Sequence, residues 1–417
     1  MKHLVKIILM VTLLIFMVGC GDDLNQPSKE RVKGGELLVD FSASAMKASL
    51  LKEGLVQTDT TVYGYKSYKI PYTTQDEEGN SVNASGSFIV PVGLPDIVYS
   101  TLGLSMVSDD HGTIFSNKEA PSFIADQTGA PHGSAVLLTA LGGFATLQPD
   151  YIGFGDSNSH YHPFLLKDSL ANSTVDFIKQ VKVFASENNI TLNSNLFLTG
   201  YSEGGYAAMA TLKKIEEENT GLTVTLAAPM AGPYALKTTA DGVLSSSSLG
   251  VPAFMADIAY AYATAKNQSM TAILNEPYAS RVEGLFSDDL TDAEIDANLT
   301  KTTTGSTGLF SQSFVSDYFT NTSNWFKVAV TENNLHDWAP ATTVKLVQCQ
   351  GDEVIPYVIA QFTEGNMTQA GSSSVSLVPV EATLGLTTHL KHVACGTPAY
   401  KVTTSIFAQT RKATIGY

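Results

Sequence analysis

The sequence predicts an α/β fold: a mostly parallel sheet, helices on both faces, and a helical insertion ahead of the last strands. Three observations carry this. Apolar strand-like runs alternate with helical segments along most of the chain, which implies parallel strands joined by crossover helices. Asn195 to Tyr206 reads as strand, sharp turn and helix around Gly200, Ser202 and Gly204. Between about residues 238 and 330 no strand pattern is clear, and helical stretches take its place.

The elements follow in chain order. Glu36 to Leu55 reads as an opening helix. Thr61 to Ile70 alternates apolar and polar side chains, as a half-buried strand does. A turn at Asp76 to Asn80 returns the chain through Ser81 to Val90, which makes an antiparallel pair. Leu104 to Ser108 is a further strand, Gly133 to Leu141 a helix, and Phe144 to Leu147 a strand. Asp168 is placed to cap the next helix, which carries Val175, Ile178, Val181 and Ala185 on one face. Leu196 to Leu198 is the strand before Ser202, and Ala207 to Glu218 the helix after it. Leu222 to Ala228 is a strand. A helix start is read at Ser287 to Glu294, and the sheet resumes at Thr343 to Gln348 and Ser373 to Pro379. These boundaries divide the chain into a core of 36–237, an insertion of 238–330 placed over the site as a cap, and a second core part of 331–417.

The chain has 417 residues and a formal net charge of -15. That length holds a large core, and the acidic surface excludes nucleic acid as a partner, because phosphates would be repelled. At the N-terminus Lys2 and Lys6 mark a basic region, and Ile7 to Val18 an apolar one too short for a comfortable membrane span. Met17-Val18-Gly19-Cys20 resembles a bacterial lipoprotein cleavage box. The expectation is a signal peptide over 1–19, a lipidated Cys20 and a polar tether to residue 35. That describes an exported protein anchored by lipid to the cell envelope. Gly21-Asp22-Asp23 resembles the surface-export signals of some lipoproteins. Cys349 and Cys395 remain, an even pair in an oxidising compartment and thus a candidate disulfide.

The chemistry centres on Ser202. In G-x-S-x-G a strained strand-to-helix turn exposes the serine Oγ, and the helix start supplies N–H groups for a developing anion. A serine hydroxyl needs a general base, and the base an orienting acid. Around such an elbow the chain order is serine, then acid, then histidine. Asp352 lies just past the apolar strand Val344 to Gln348, and Glu353 is its rival. Only His389 and His392 follow.

These residues resemble the α/β-hydrolase superfamily and, more narrowly, its secretory-lipase-like branch. The matching segments are His111-Gly112-Thr113, Pro149 to Gly155, His162 to Leu165, Thr199 to Gly205, Ala228 to Gly232 and the His392…Cys395 spacing. The resemblance implies an α/β-hydrolase fold and a serine esterase or lipase without cofactor or metal, and it selects His392 as the base. It implies oxyanion donors at the backbone N–H of Glu203 and of Thr113. Asp109 and Asp110 stand where the family more often has an uncharged pair, so their side chains are expected to point away from that site. Ester substrates of this class include lipids, polysaccharide-linked esters and small molecules. A peptidase or amidase uses the same triad, and a surface binding protein on an inactive scaffold is the alternative from another class. If Asp352 and His392 pair, the segments carrying Cys349 and Cys395 converge, which favours the disulfide.

Overall fold

The computed structural model describes residues 30–123, 133, 136–287 and 289–417. The expected signal peptide, Cys20 and the first part of the tether lie outside them, as do Ser134 and Ala135 of the expected helix at Gly133 to Leu141, and Asp288. Strands are β1 (Glu30–Val32), β2 (Gly35–Phe41), β3 (Gly64–Gln75), β4 (Ser81–Val92), β5 (Leu104–Asp110), β6 (Ala145–Pro149), β7 (Leu192–Tyr201), β8 (Leu226–Met230), β9 (Val344–Gln348) and β10 (Val375–Pro379). Among the described residues they form one sheet in the order β1-β2-β3-β4-β6-β5-β7-β8-β9-β10. The pairs from β6 through β5, β7, β8 and β9 to β10 are parallel, and those from β1 to β4 and on to β6 are antiparallel. This is an α/β-hydrolase sheet, and β7, the strand before Ser202, runs through its parallel half.

Helices are α1 (Ala43–Lys52), α2 (Lys167–Glu187), α3 (Glu203–Glu217), α4 (Leu236–Ser245), α5 (Pro252–Ala265), α6 (Tyr278–Ser287), α7 (Asp292–Ala297), α8 (Gln312–Thr320), α9 (Trp325–Glu332), α10 (Tyr357–Gln369), α11 (Val380–Leu384) and α12 (His392–Ile415). Side chains alternate across the sheet. Leu196 and Leu198 join the core shared with α2 and α3, while Phe197 joins the core shared with α12. Ala207, Ala208 and Ala210 in α3 are buried small residues that let that helix lie close over β7 and β8. The chain between β8 and β9 carries α4 to α9. Among the described residues no helix is long and apolar enough to cross a membrane.

Several expectations are corrected. Glu36 to Leu55 is not one helix: β2 pairs with β3, and α1 begins only after Ser42, whose side chain accepts the Ala45 N–H. The apolar run Leu37-Leu38-Val39 fits either period, and pairing with β3 decides for strand. The polar stretch read as a tether to residue 35 is in strand from Glu30. Asp168 does not cap α2; the N-cap is Leu166, and Asp168 sits in the first turn. The strand read at Leu222 begins at Leu226. The helix start read within Ser287 to Glu294 is found there: α7 begins at Asp292, and Thr291 and Glu294 form a capping box.

Candidate active site

Ser202 sits between the last residue of β7 and the first of α3, with φ 61° and ψ -120°. A non-glycine residue there is strained by about 1–3 kcal/mol. Two backbone bonds hold it: Ser202 N–H donates to Met230 O at 2.9 Å, and Tyr206 N–H to Ser202 O at 3.1 Å. Gly204 must lack a side chain, because a Cβ would run into the Asp110 carbonyl at the end of β5. The glycine thus sets how near α3 approaches the sheet, and with it where Ser202 stands.

His392 opens α12. Its Nε2 lies 3.0 Å from Ser202 Oγ and its Nδ1 2.8 Å from Asp352 Oδ2. Asp352 is buried just past β9. Its Oδ1 accepts the N–H groups of Val354 (3.0 Å) and Ile355 (2.8 Å), and its Oδ2 accepts Gln348 Nε2 (3.0 Å). A carboxylate held this way accepts the Nδ1–H and leaves the Nε2 lone pair facing the serine hydroxyl. The two rivals lie elsewhere. Glu353 Oε2 accepts the backbone N–H of His392 at 3.0 Å, satisfying a donor at the start of α12. His389 is exposed.

Side chains to which the sequence reading gives no role brace the histidine. Tyr201 OH donates to His392 O at 2.7 Å. Glu381 accepts from Gln350 N (2.9 Å) and Leu390 N (3.0 Å), tying the acid-bearing turn to the histidine-bearing segment. Burial would lift the Glu381 pKa, but those amides outweigh it and hold it below the usual carboxylate range. The same two segments are joined by a bond between Cys349 and Cys395, whose Cα atoms are 6.1 Å apart. A loop of 46 residues closed in this way stabilises by roughly 4 kcal/mol in the chain-entropy picture. We expect non-reducing peptide maps to recover the two cysteines as one cross-linked pair. Alkylation of both after denaturation without reductant would contradict this.

Glu203 N–H is the first of α3 and has no intrahelical acceptor by position. Gly112 packs against the Tyr201–Ser202 backbone, so Thr113 lies beside the serine, and Thr113, Ser202 and Glu203 line one cavity. The His111 ring anchors this loop between the Gly112 carbonyl (2.8 Å) and the Asp150 carbonyl (3.1 Å) and packs on Tyr151. Asp109 and Asp110 turn into the protein: Asp109 accepts from Tyr400 OH (2.7 Å) and Gln148 Nε2 (3.0 Å), Asp110 from Ser108 and Thr174. Burial, with Asp109 beside it, pushes the Asp110 carboxyl well above the usual range.

The cavity holds about 110 Å³ and is mostly apolar. Thr113, Ser202, Glu203 and Thr239 are its polar lining residues. Leu236, Val243, Phe254, Ile258, Phe310 and Phe326, all from the chain between β8 and β9, form much of the rest. Among the described residues no group of three or more His, Cys, Asp or Glu side chains is arranged to hold a metal ion.

The model of the secretory lipase family matches residues 134–401, well over half of the chain. The chain belongs to the secretory lipase family. Membership makes it a carboxylic ester hydrolase and points to export. A protein from Legionella pneumophila whose structure is described as that of a hydrolase is similar: 25% identity, TM-score 0.79, covering 91% of this chain and 97% of that one. The rice cell wall degrading esterase LipA from Xanthomonas oryzae has 22% identity and TM-score 0.74, over 93% of this chain and 99% of that one. Candida antarctica lipase A has 14% identity and TM-score 0.57, over 79% and 73%. The last two likenesses are of fold. Comparison with curated proteins gives no match to the chain.

Proposed function

We propose that this secretory lipase hydrolyses esters of apolar acyl groups through a Ser202–His392–Asp352 triad and an acyl-enzyme. The observation that carries the reading is the continuous contact from Asp352 through His392 to Ser202, which lines a mostly apolar cavity. His392 Nε2 takes the hydroxyl proton as Ser202 Oγ attacks the ester carbonyl. The N–H groups of Glu203 and Thr113 receive the oxyanion, each contributing about 2.7–4 kcal/mol to the transition state. Imidazolium, held by Asp352, then protonates the leaving alcohol, and water resolves the acyl-enzyme by the reverse path. Segment 238–330 acts as a cap that gives the acyl group its apolar walls.

A panel of p-nitrophenyl esters from acetate to palmitate, with matched anilides, tests this. Esters longer than acetate should be preferred, and anilides left intact. Ile258→Trp, which fills the cavity, should lower kcat/KM for octanoate relative to acetate by about tenfold or more. An unchanged chain-length profile in that variant, or anilides cleaved as fast as esters, contradicts the reading.

The N-terminal segment fits a lipoprotein signal, with export ending in lipidation at Cys20. Mass spectrometry of the mature N-terminus should find a lipid-modified Cys20, and Cys20→Ser should release the enzyme from the membrane fraction. A free amine at any later residue contradicts this.

A further inference from the structure

We propose that His162 is a positioning residue for the oxyanion hole: as an imidazolium it pairs with the Glu203 carboxylate, fixing the first turn of α3 and cancelling the negative charge beside the developing oxyanion. The inference rests on the proposed roles of Ser202 and the Glu203 amide.

Glu203 presents a difficulty that the reaction alone does not resolve. Its backbone N–H is the proposed oxyanion donor, yet its own side chain is a carboxylic acid group, almost wholly buried one residue from Ser202. An uncompensated anion there opposes the charge that forms on the carbonyl oxygen. The structure supplies a counter-charge: His162 Nε2 lies 2.7 Å from Glu203 Oε1. On its other side His162 Nδ1 lies 2.9 Å from the Ile152 carbonyl. Both ring nitrogens thus face acceptors, and one of these is a carboxylate oxygen, whose negative charge favours the doubly protonated ring. Burial pulls the His162 pKa down, but the Glu203 carboxylate outweighs it and lifts it to about 9.

The ring is fixed. Phe154 packs on it at 4.8 Å, Tyr151 and Phe164 at 6.1 Å. Gly153, with φ 96°, lets the preceding turn pass against the His162 backbone, where a Cβ would clash. The other titratable groups facing the pair are Asp257 on α5, His111 after β5 and Tyr151. Burial raises the Asp257 carboxyl to about 8. Burial likewise pulls His111 below its ordinary value and pushes the Tyr151 hydroxyl well above its own.

His162→Gln keeps a donor and removes the charge. Its kcat for a p-nitrophenyl ester should fall by about tenfold or more with KM little changed, the pattern of a lost transition-state interaction. The wild-type kcat should decline as pH rises through about 9, the value for His162, and the variant should lack that limb. Adding Glu203→Gln to His162→Gln should recover much of the loss, because no bare carboxylate remains; a double variant no better than the single one overturns the inference. Independently of any variant at these positions, the His162 ring resonance in Ser202→Ala should titrate near 9, and titration in the ordinary histidine range overturns it. If Ser202→Ala retains activity, the catalytic reading itself falls. If Ser202→Ala is inactive and His162→Gln matches wild type, only the inference on His162 falls.

Discussion

Ser202→Ala should reduce kcat for ester hydrolysis by about 10⁵–10⁶-fold and leave the melting temperature unchanged. The magnitude follows from the proposed triad, in which three residues act as a unit and loss of the nucleophile removes nearly all that they contribute together. The unchanged stability follows from the turn. Its conformation is imposed by the bonds of the Ser202 N–H to Met230 O and of the Tyr206 N–H to Ser202 O, and alanine makes both. The side-chain contact that disappears is the one to His392 Nε2. Initial rates on a p-nitrophenyl ester, with a thermal melt of the same sample, check both halves. A folded Ser202→Ala protein with near-wild-type turnover contradicts the prediction.

Replacing His392 should be nearly as damaging, and replacing His389 should not. His392→Ala loses the proton acceptor and should lower kcat by about 10⁵–10⁶-fold. His389 is exposed and touches neither Ser202 nor Asp352 among the described contacts, so His389→Ala should stay within about twofold of wild type. Asp352→Asn preserves shape but favours the wrong imidazole tautomer, and a fall of about 10⁴-fold is expected. Glu353→Gln serves as the control, because Glu353 bonds the His392 backbone rather than its ring. The pair of histidine variants, assayed side by side, decides the assignment; the opposite ranking overturns it.

Much of the framework is legible in the sequence because its causes are local. The elbow needs glycine where β5 and α3 meet, and that need leaves a short fixed pattern around Ser202. An apolar strand running into a turn marks Asp352. Six strands joined by helices leave their alternation in the chain. What is not legible has long-range causes. Leu37 to Phe41 becomes strand because β3 lies beside it, and the run itself fits helix equally well. His389 and His392 are separated in the sequence only by the family spacing to Cys395, whereas in the fold one is exposed and the other buried against Ser202. Glu381 is a single polar residue far from the elbow, and His162, although it opens a segment that matches the family, carries no sign of its partner. Each becomes important through a partner distant along the chain, Leu390 and Gln350 for the one and Glu203 for the other. A lone acid or histidine carries no pattern that announces such a partner.

The proposed role of Ser202 is that of a nucleophile activated by His392. Labelling with a fluorophosphonate, followed by peptide mapping of the adduct, tests it most directly. A single adduct on Ser202 is expected, with loss of esterase activity in step with labelling and labelling slowed by orders of magnitude in His392→Ala. An adduct on any other residue, or ester hydrolysis that survives complete labelling, would contradict it.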